Sequence, residues 1–169
     1  SLDKTFNDFG YAFYSNGQYS GNAGHDVTTD KEGRIIVVGK YKSGIVDTSS
    51  IDMAIWRYTP NGLLDTTFNG KGFATHTGAP GPNGTDIANG VVIDANGKIV
   101  VCGTCEEDAN GRDMFIWRYN TDGTLDTIFN GIGYVSHNNA GGSAIPDDFG
   151  SAIALDKSGR ILVAGRSNA

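Results

Sequence analysis

The sequence predicts an all-β fold of β-propeller blades: about 2.7 four-stranded repeats of about 61 residues each, forming an incomplete ring. Three observations predict it. First, three phrases recur in a fixed order. Leu-Asp-x-x-Phe-Asn begins at Leu2, Leu64 and Leu125, and a basic-apolar-Gly phrase follows at 34–39, 98–103 and 160–165. Ile-Trp-Arg-Tyr then stands at 55–58 and 116–119. Second, glycine makes up 25 of 169 residues against four prolines, which suits many tight turns between short strands. Third, no segment carries a sustained 3.6-residue period with caps, so almost no helix is expected.

The repeats divide a single repeat domain, 1–169, into repeat one at 2–62, repeat two at 63–123 and a truncated repeat three at 124–169. No third Ile-Trp-Arg-Tyr follows Gly165, so the sequence reads as a piece of a longer protein. Each repeat is expected to hold four strands. The first follows the Leu-Asp-x-x-Phe-Asn turn, at 10–14, 72–76 and 133–137. The second lies near 26–30, 87–94 and 151–156. A turn at 31–33, 95–97 and 157–159, whose glycine supplies positive φ, leads to the third. The third is a short β-branched run at 35–38, 99–102 and 161–164, bounded by glycine and suited to a buried strand. The fourth, at 52–58 and 113–119, ends on a turn at 59–62 or 120–123. A twisted four-stranded sheet cannot bury both faces alone, and stacking sheet on sheet supplies the second face.

The fourth strand carries both tryptophans. Strand alternation puts Met114, Ile116 and Arg118 on one face and Phe115, Trp117 and Tyr119 on the other. Trp56 and Trp117 are either a platform for sugar or packing between sheets, and repetition at one strand position favours packing. Arg57 and Arg118 are each followed eight residues later by an aspartate, Asp65 and Asp126. They read as Arg57–Asp65 and Arg118–Asp126 pairs bracing the turn. A catalytic role would not need a copy in each repeat.

These phrases resemble the delta-60 repeat, a bacterial family of β-propeller-like blades. The matching residues are Asn96-Gly-Lys-Ile-Val-Val-Cys-Gly103, then Phe115-Ile-Trp-Arg-Tyr-Asn-Thr-Asp-Gly-Thr-Leu-Asp-Thr-Ile-Phe129. The resemblance covers essentially all of the chain and implies a propeller within a longer, secreted or surface protein. It brings no general catalytic motif. The usual Asp before the turn glycine is Asn before Gly97, Glu before Gly33 and Ser before Gly159.

Net charge is −6, which argues against nucleic acid or an anionic membrane as partner. No apolar run approaches the about 20 residues of a membrane-spanning helix, so membrane insertion is not expected. No signal peptide opens the sequence, and localisation is expected to be extracellular or at the cell surface from the resemblance.

Candidate chemistry is sparse. His76 and His137 hold equivalent positions at the end of the first strand, where repeat one has Tyr14; a shared metal or ligand site needs those two ends to converge. Cys102 reads as a small core residue and Cys105 as the start of a loop. Half a zinc site and a redox pair are the alternatives. The acidic loop 106–113 offers oxygen ligands to a hard cation but lacks the spacing of a calcium loop. Asn83-Gly84-Thr85 fits a glycosylation sequon. The most divergent stretches, 15–22, 77–83 and 138–143, are polar loops suited to sugar or protein, or are simply under no demand.

No catalytic, cofactor or metal residue is assigned, and no cofactor is expected. The sequence points to a non-catalytic binding or structural module. The rivals are a propeller enzyme of the glycosidase or lyase type, with a site at the channel mouth, and an architectural spacer. Two full blades and part of a third do not close a ring, so self-association is expected, most simply as a homodimer.

Overall fold

A computed structural model describes residues 1–15, 21–42, 51–76, 84–106, 111–138 and 147–168. They form ten strands in three antiparallel sheets. The first sheet holds β1 (Ala23–Thr29), β2 (Ile35–Lys42), β3 (Ile51–Tyr58) and β4 (Phe73–His76), in that order. The second repeats it with β5 (Asp86–Ile93), β6 (Ile99–Glu106), β7 (Arg112–Tyr119) and β8 (Tyr134–His137). The third is the pair β9 (Asp148–Leu155) and β10 (Ile161–Ser167). Among the described residues there is no α-helix, only single 3-10 turns at Phe68–Gly70 and Phe129–Gly131.

The sheets and the sequence repeats are offset by one strand. β4 follows the second Leu-Asp-x-x-Phe-Asn phrase, yet it pairs with β3 of the copy before, Met53 opposite His76 and Trp56 opposite Phe73. β8 does the same against β7. The linking turn leaves no other choice. Tyr58 bridges to Leu64, and the Asp65 amide donates to the Arg57 carbonyl at 2.9 Å. The chain then reverses through Asn69 at φ 49° and Gly70, and returns alongside β3. Residues 10–14, expected as a strand by analogy, are not one. No Ile-Trp-Arg-Tyr strand stands ahead of them in this sequence to accept their hydrogen bonds.

The third strands run longer than expected, through Gly39, Gly103 and Gly165 to Lys42, Glu106 and Ser167. β5 packs between β1 and β9, and these three inner strands each have a register shift opposite that glycine. A Cβ on Gly103 would collide with the Ile87 carbonyl oxygen. The glycine therefore does not end the strand; it makes room for a bulge. Cys105, expected to begin a loop, is consequently a buried residue within β6.

Each sheet has a front face, toward the next sheet along the chain, and a rear face. Ile36, Val38, Met53 and Ile55 on the front of the first sheet pack with Val91, Val101, Phe115 and Trp117 on the rear of the second, none more than 5% exposed. β5 packs against β1, β2 and β3, and β9 against β5, β6 and β7, so the second junction repeats the first. A smaller cluster of Ala54, Trp56 and Tyr58 lies on the rear of the first sheet, covered in part by Ala12 and Tyr14.

Candidate functional site

The residues that recur in the sequence meet at the junctions between sheets. Arg57 is the clearest case. It lies one residue before the end of β3, 3% exposed, and its Nε donates to Asp65 Oδ2 at 2.7 Å. Nη2 reaches Thr67 Oγ1 at 3.1 Å, and Nη1 crosses to the second sheet to donate to the Thr121 carbonyl at 2.6 Å. The guanidinium also sits 4.7 Å from the centre of the Phe68 ring. Arg118 copies the core of this arrangement, with Nε 2.7 Å from Asp126 Oδ2 and the guanidinium 4.5 Å from the Phe129 ring. Lys98 Nζ joins Asp126 at 2.7 Å. The expected Arg57–Asp65 and Arg118–Asp126 pairs are both present.

Both aspartates titrate below the ordinary range. Burial pushes Asp65 upward, but the Thr67 hydroxyl and amide and the Arg57 guanidinium outweigh it. For Asp126 the Lys98 hydrogen bond is the largest cause, acting against burial, with Arg118 adding to it. These carboxylates are held ionised by fixed partners, which suits a brace and not a proton-transfer group.

Phe68 shows how the turn itself joins two sheets. Its ring fills the space beside Gly123 in the next turn, where a Cβ would lie 2.9 Å from the ring edge; Gly123 has φ 90°. The neighbouring Asn69 amide donates to the Asp122 carbonyl at 2.7 Å. On the inner strands, His25 Nδ1 lies 2.9 Å from the Ala88 carbonyl, which can only accept, so that nitrogen carries the proton. Asn89, at the matching place in β5, donates to the Gly150 carbonyl at 2.9 Å.

Trp117 is fully buried between the first two sheets, stacked on Phe115 at 5.4 Å. Trp56 sits at the same point of β3, against Tyr14 at 5.8 Å. Among the described residues neither indole Nε1 has a hydrogen-bond partner, so both rings serve by packing. Neither is a sugar platform open to solvent.

His76 and His137 end the outer strands of two different sheets. His76 is half-buried, 6.1 Å from the Trp117 ring and 5.5 Å from Tyr134, and burial lowers its pKa. His137 is exposed beside Met114. Among the described residues no group of three or more His, Cys, Asp or Glu is placed to hold a metal ion. Cys102 and Cys105 are not joined in a disulfide; they lie three residues apart on one strand, so they point to opposite faces. Burial pushes the Cys102 thiol up to about 11, which leaves little thiolate for redox chemistry at neutral pH.

One pair of acids was missed by reading the sequence. Asp113 and Asp148 are both buried where β7 meets the start of β9, beside a parallel bridge from Arg112 to Asp147. Burial raises the Asp113 pKa, the Asp148 charge raises it further, and His137 opposes them. The signal was an aspartate two residues before Phe115, matched by Asp52 before Ala54. The candidate ligand loop 77–83, all of 138–143 but Asn138, most of 15–22, residues 107–110 of the acidic loop 106–113 and Asn83 of the sequon lie outside the described residues.

The domain of unknown function DUF5122 beta-propeller matches this chain over residues 32–68 and 95–129. Each matched segment begins in the turn before β2 or β6 and ends on the phenylalanine of the linking turn. The sheets are β-propeller blades. No curated protein matches the chain. In a propeller the strands nearest the axis pack on one another, which makes β1, β5 and β9 the inner strands and β4 and β8 the outer ones. The matched segments take in the Arg57–Asp65 and Arg118–Asp126 braces and both tryptophans.

Proposed function

We propose that this is a non-catalytic binding or structural propeller module of a bacterial secreted or cell-surface protein, built from repeats of the delta-60 type. One observation carries the reading. The polar and aromatic residues repeated between copies are occupied by the frame: Arg57 and Arg118 in braces, Trp56 and Trp117 in packing, Phe68 in the next turn. Residues that differ between copies gather in the loops beyond the outer strands, and these are the positions free to specify a ligand. The ligand class that suits polar loops next to aromatic residues is a carbohydrate or a protein.

The test is a glycan-array and pull-down screen, repeated after exchanging loop 77–83 for loop 138–143. The module reading expects binding that the exchange abolishes, with no turnover. Hydrolysis or elimination on any glycan would overturn it. Absence of every ligand would instead support an architectural spacer.

A propeller enzyme is the second reading, and it rests on Asp113 and Asp148, two adjacent carboxyls, one with a raised pKa. Both are at most 4% exposed, which leaves a sugar no path to them and favours a structural role. If Asp113→Asn removed an activity while the fold stayed intact, the enzyme reading would win.

A further inference from the structure

Asparagine is chemically labile where glycine follows it. With no side chain in the way, the glycine amide nitrogen can swing onto the asparagine carboxamide. The sequence holds eight Asn-Gly pairs, and five of them, at Asn61, Asn69, Asn89, Asn96 and Asn130, lie within the described residues. Folding treats the five differently. Asn61 Oδ1 accepts the Thr59 hydroxyl. Asn69 and Asn130 each donate Nδ2 to the carbonyl four residues on, at 3.3 Å from Phe73 and 3.1 Å from Tyr134. The Asn89 carboxamide is tied across a blade junction to the Gly150 carbonyl. To react, each of these four must first give up a hydrogen bond. The Asn96 carboxamide makes none among the described residues, and Asn96 is exposed on the turn between β5 and β6.

That turn holds more than its own shape. Asp94 Oδ1 accepts the amides of Asn96 at 2.8 Å and Lys98 at 2.9 Å, and the Asp94 carbonyl accepts the Gly97 amide at 2.9 Å. These bonds fix Lys98, whose Nζ reaches Asp126 at 2.7 Å and Asn120 at 3.0 Å. The turn also borders a groove of about 310 Å³ between the first two blades, whose lining includes Asp30, Glu32, Asp94 and Asn96.

We propose that Asn96 is a site of spontaneous deamidation, and that one of its two products unfastens the Lys98 brace. Hydroxide removes the Gly97 amide proton, and the nitrogen attacks Asn96 Cγ. An N–Cγ bond forms, the Cγ–Nδ2 bond breaks, and ammonia leaves after taking a proton from water. Water then opens the five-membered imide at one carbonyl or the other, and no electrons are gained or lost. One opening gives aspartate; the other gives isoaspartate, with one more carbon in the backbone. Glu32 and Ser158 stand at the position of Asn96 in the other two turns, so a changed side chain is accommodated there. An added backbone carbon instead moves Gly97 and Lys98 off their bonds to Asp94. Either product adds a carboxylate to the groove beside Asp30, Glu32 and Asp94. The Gly97 nitrogen is held by the Asp94 carbonyl, so the reaction waits on local opening and is slower than in the unfolded chain.

Ageing the folded chain in mildly alkaline buffer, followed by peptide mapping with mass detection and isoaspartate-specific labelling, tests the proposal. Asn96 is expected to convert before Asn61, Asn69, Asn89 and Asn130. The urea-unfolded chain is expected to convert all five at similar rates. Conversion of any of the other four ahead of Asn96 in the folded chain would overturn the proposal, and so would an unfolded chain with the same preference. Asn96→Ser, copied from the third repeat, is expected to fold as the wild type does and to lose the early conversion. Asn96→Asp carries the charge without the extra carbon and is expected to melt like the wild type, whereas the chain aged to isoaspartate melts lower. Equal melting of aged and fresh chains would overturn the link to Lys98.

Discussion

Trp56 and Trp117 occupy the same place in successive blades, in the same four-residue phrase, yet they have different neighbours. Trp117 is roofed by a whole blade, with Ile36, Val38, Met53 and Ile55 in its cluster. Trp56 is roofed by a single extended segment that brings Ala12 and Tyr14. The indoles are almost equally hidden, at 0% and 3%, but only one is held by a sheet that is itself anchored on both sides. Burial in a propeller belongs to the junction, and the same strand is worth more or less according to what is laid against it.

The sharpest way to break this comparison is to remove both rings in turn. Trp117→Ala is expected to cost about 4 kcal/mol, within the range for a large buried aromatic. Trp56→Ala is expected to cost about 2 kcal/mol, because the segment above it can settle into the space. Urea denaturation of the two variants would measure the difference. Equal losses would mean that residues 1–15 cover the first blade as firmly as a sheet does.

The arginine braces extend the comparison with a smaller effect. The Arg57 side chain is 4% exposed and reaches across to Thr121, whereas the Arg118 side chain is 23% exposed. Arg57→Ala is therefore expected to cost about 3 kcal/mol, the loss typical of breaking a buried pair. Arg118→Ala is expected to cost about 1 kcal/mol, closer to a solvated one. Both can be read from thermal melts at neutral pH. Because their pKa values are lowered, Asp65 and Asp126 contribute stability above the ordinary 3.8, and that stability is lost as pH falls further.

The smallest effect concerns His76, which stands over Trp117 where Tyr14 stands over Trp56. Burial lowers its pKa in the folded state, so below about 6.5 the unfolded chain takes up the proton first. Wild-type stability should therefore decline as pH drops from 6.5, and His76→Phe should flatten that decline. The exposed His137→Phe is the control. A pH profile of melting temperature that is unchanged in His76→Phe would remove His76 from the junction's energetics.

Much of this was legible in the sequence because it is written more than once. The alternation around Trp117, the eight-residue step from Arg57 to Asp65 and the turn glycines are all local patterns with one physical reading. What escaped was anything decided by a partner elsewhere in the chain. Residues 72–76 have the look of a strand in any context, but nothing within them says that Met53 and Trp56 lie alongside. Gly103 ends an apolar run on paper; only the Ile87 carbonyl pressed against it reveals a bulge. Cys105 followed the same error into a loop. Asp113 and Asp148, 35 positions apart, gave no local sign of meeting.

The one-strand offset has a mechanical consequence. Each covalent repeat overlaps two sheets, as boards do in a lap joint. A cut at the repeat boundary near 62–63 would detach β4 from the sheet it completes, and a cut near 123–124 would do the same to β8. Excision or duplication of one such unit therefore disturbs two blades at once. The segment 77–83, between β4 and β5, is where the chain passes from one finished sheet to the next, and grafting or splitting should be attempted there. Tension on the chain is likewise shared: pulling at a linking turn loads the hydrogen bonds of one sheet and the aromatic packing of its neighbour together, so adjoining blades would yield as a pair.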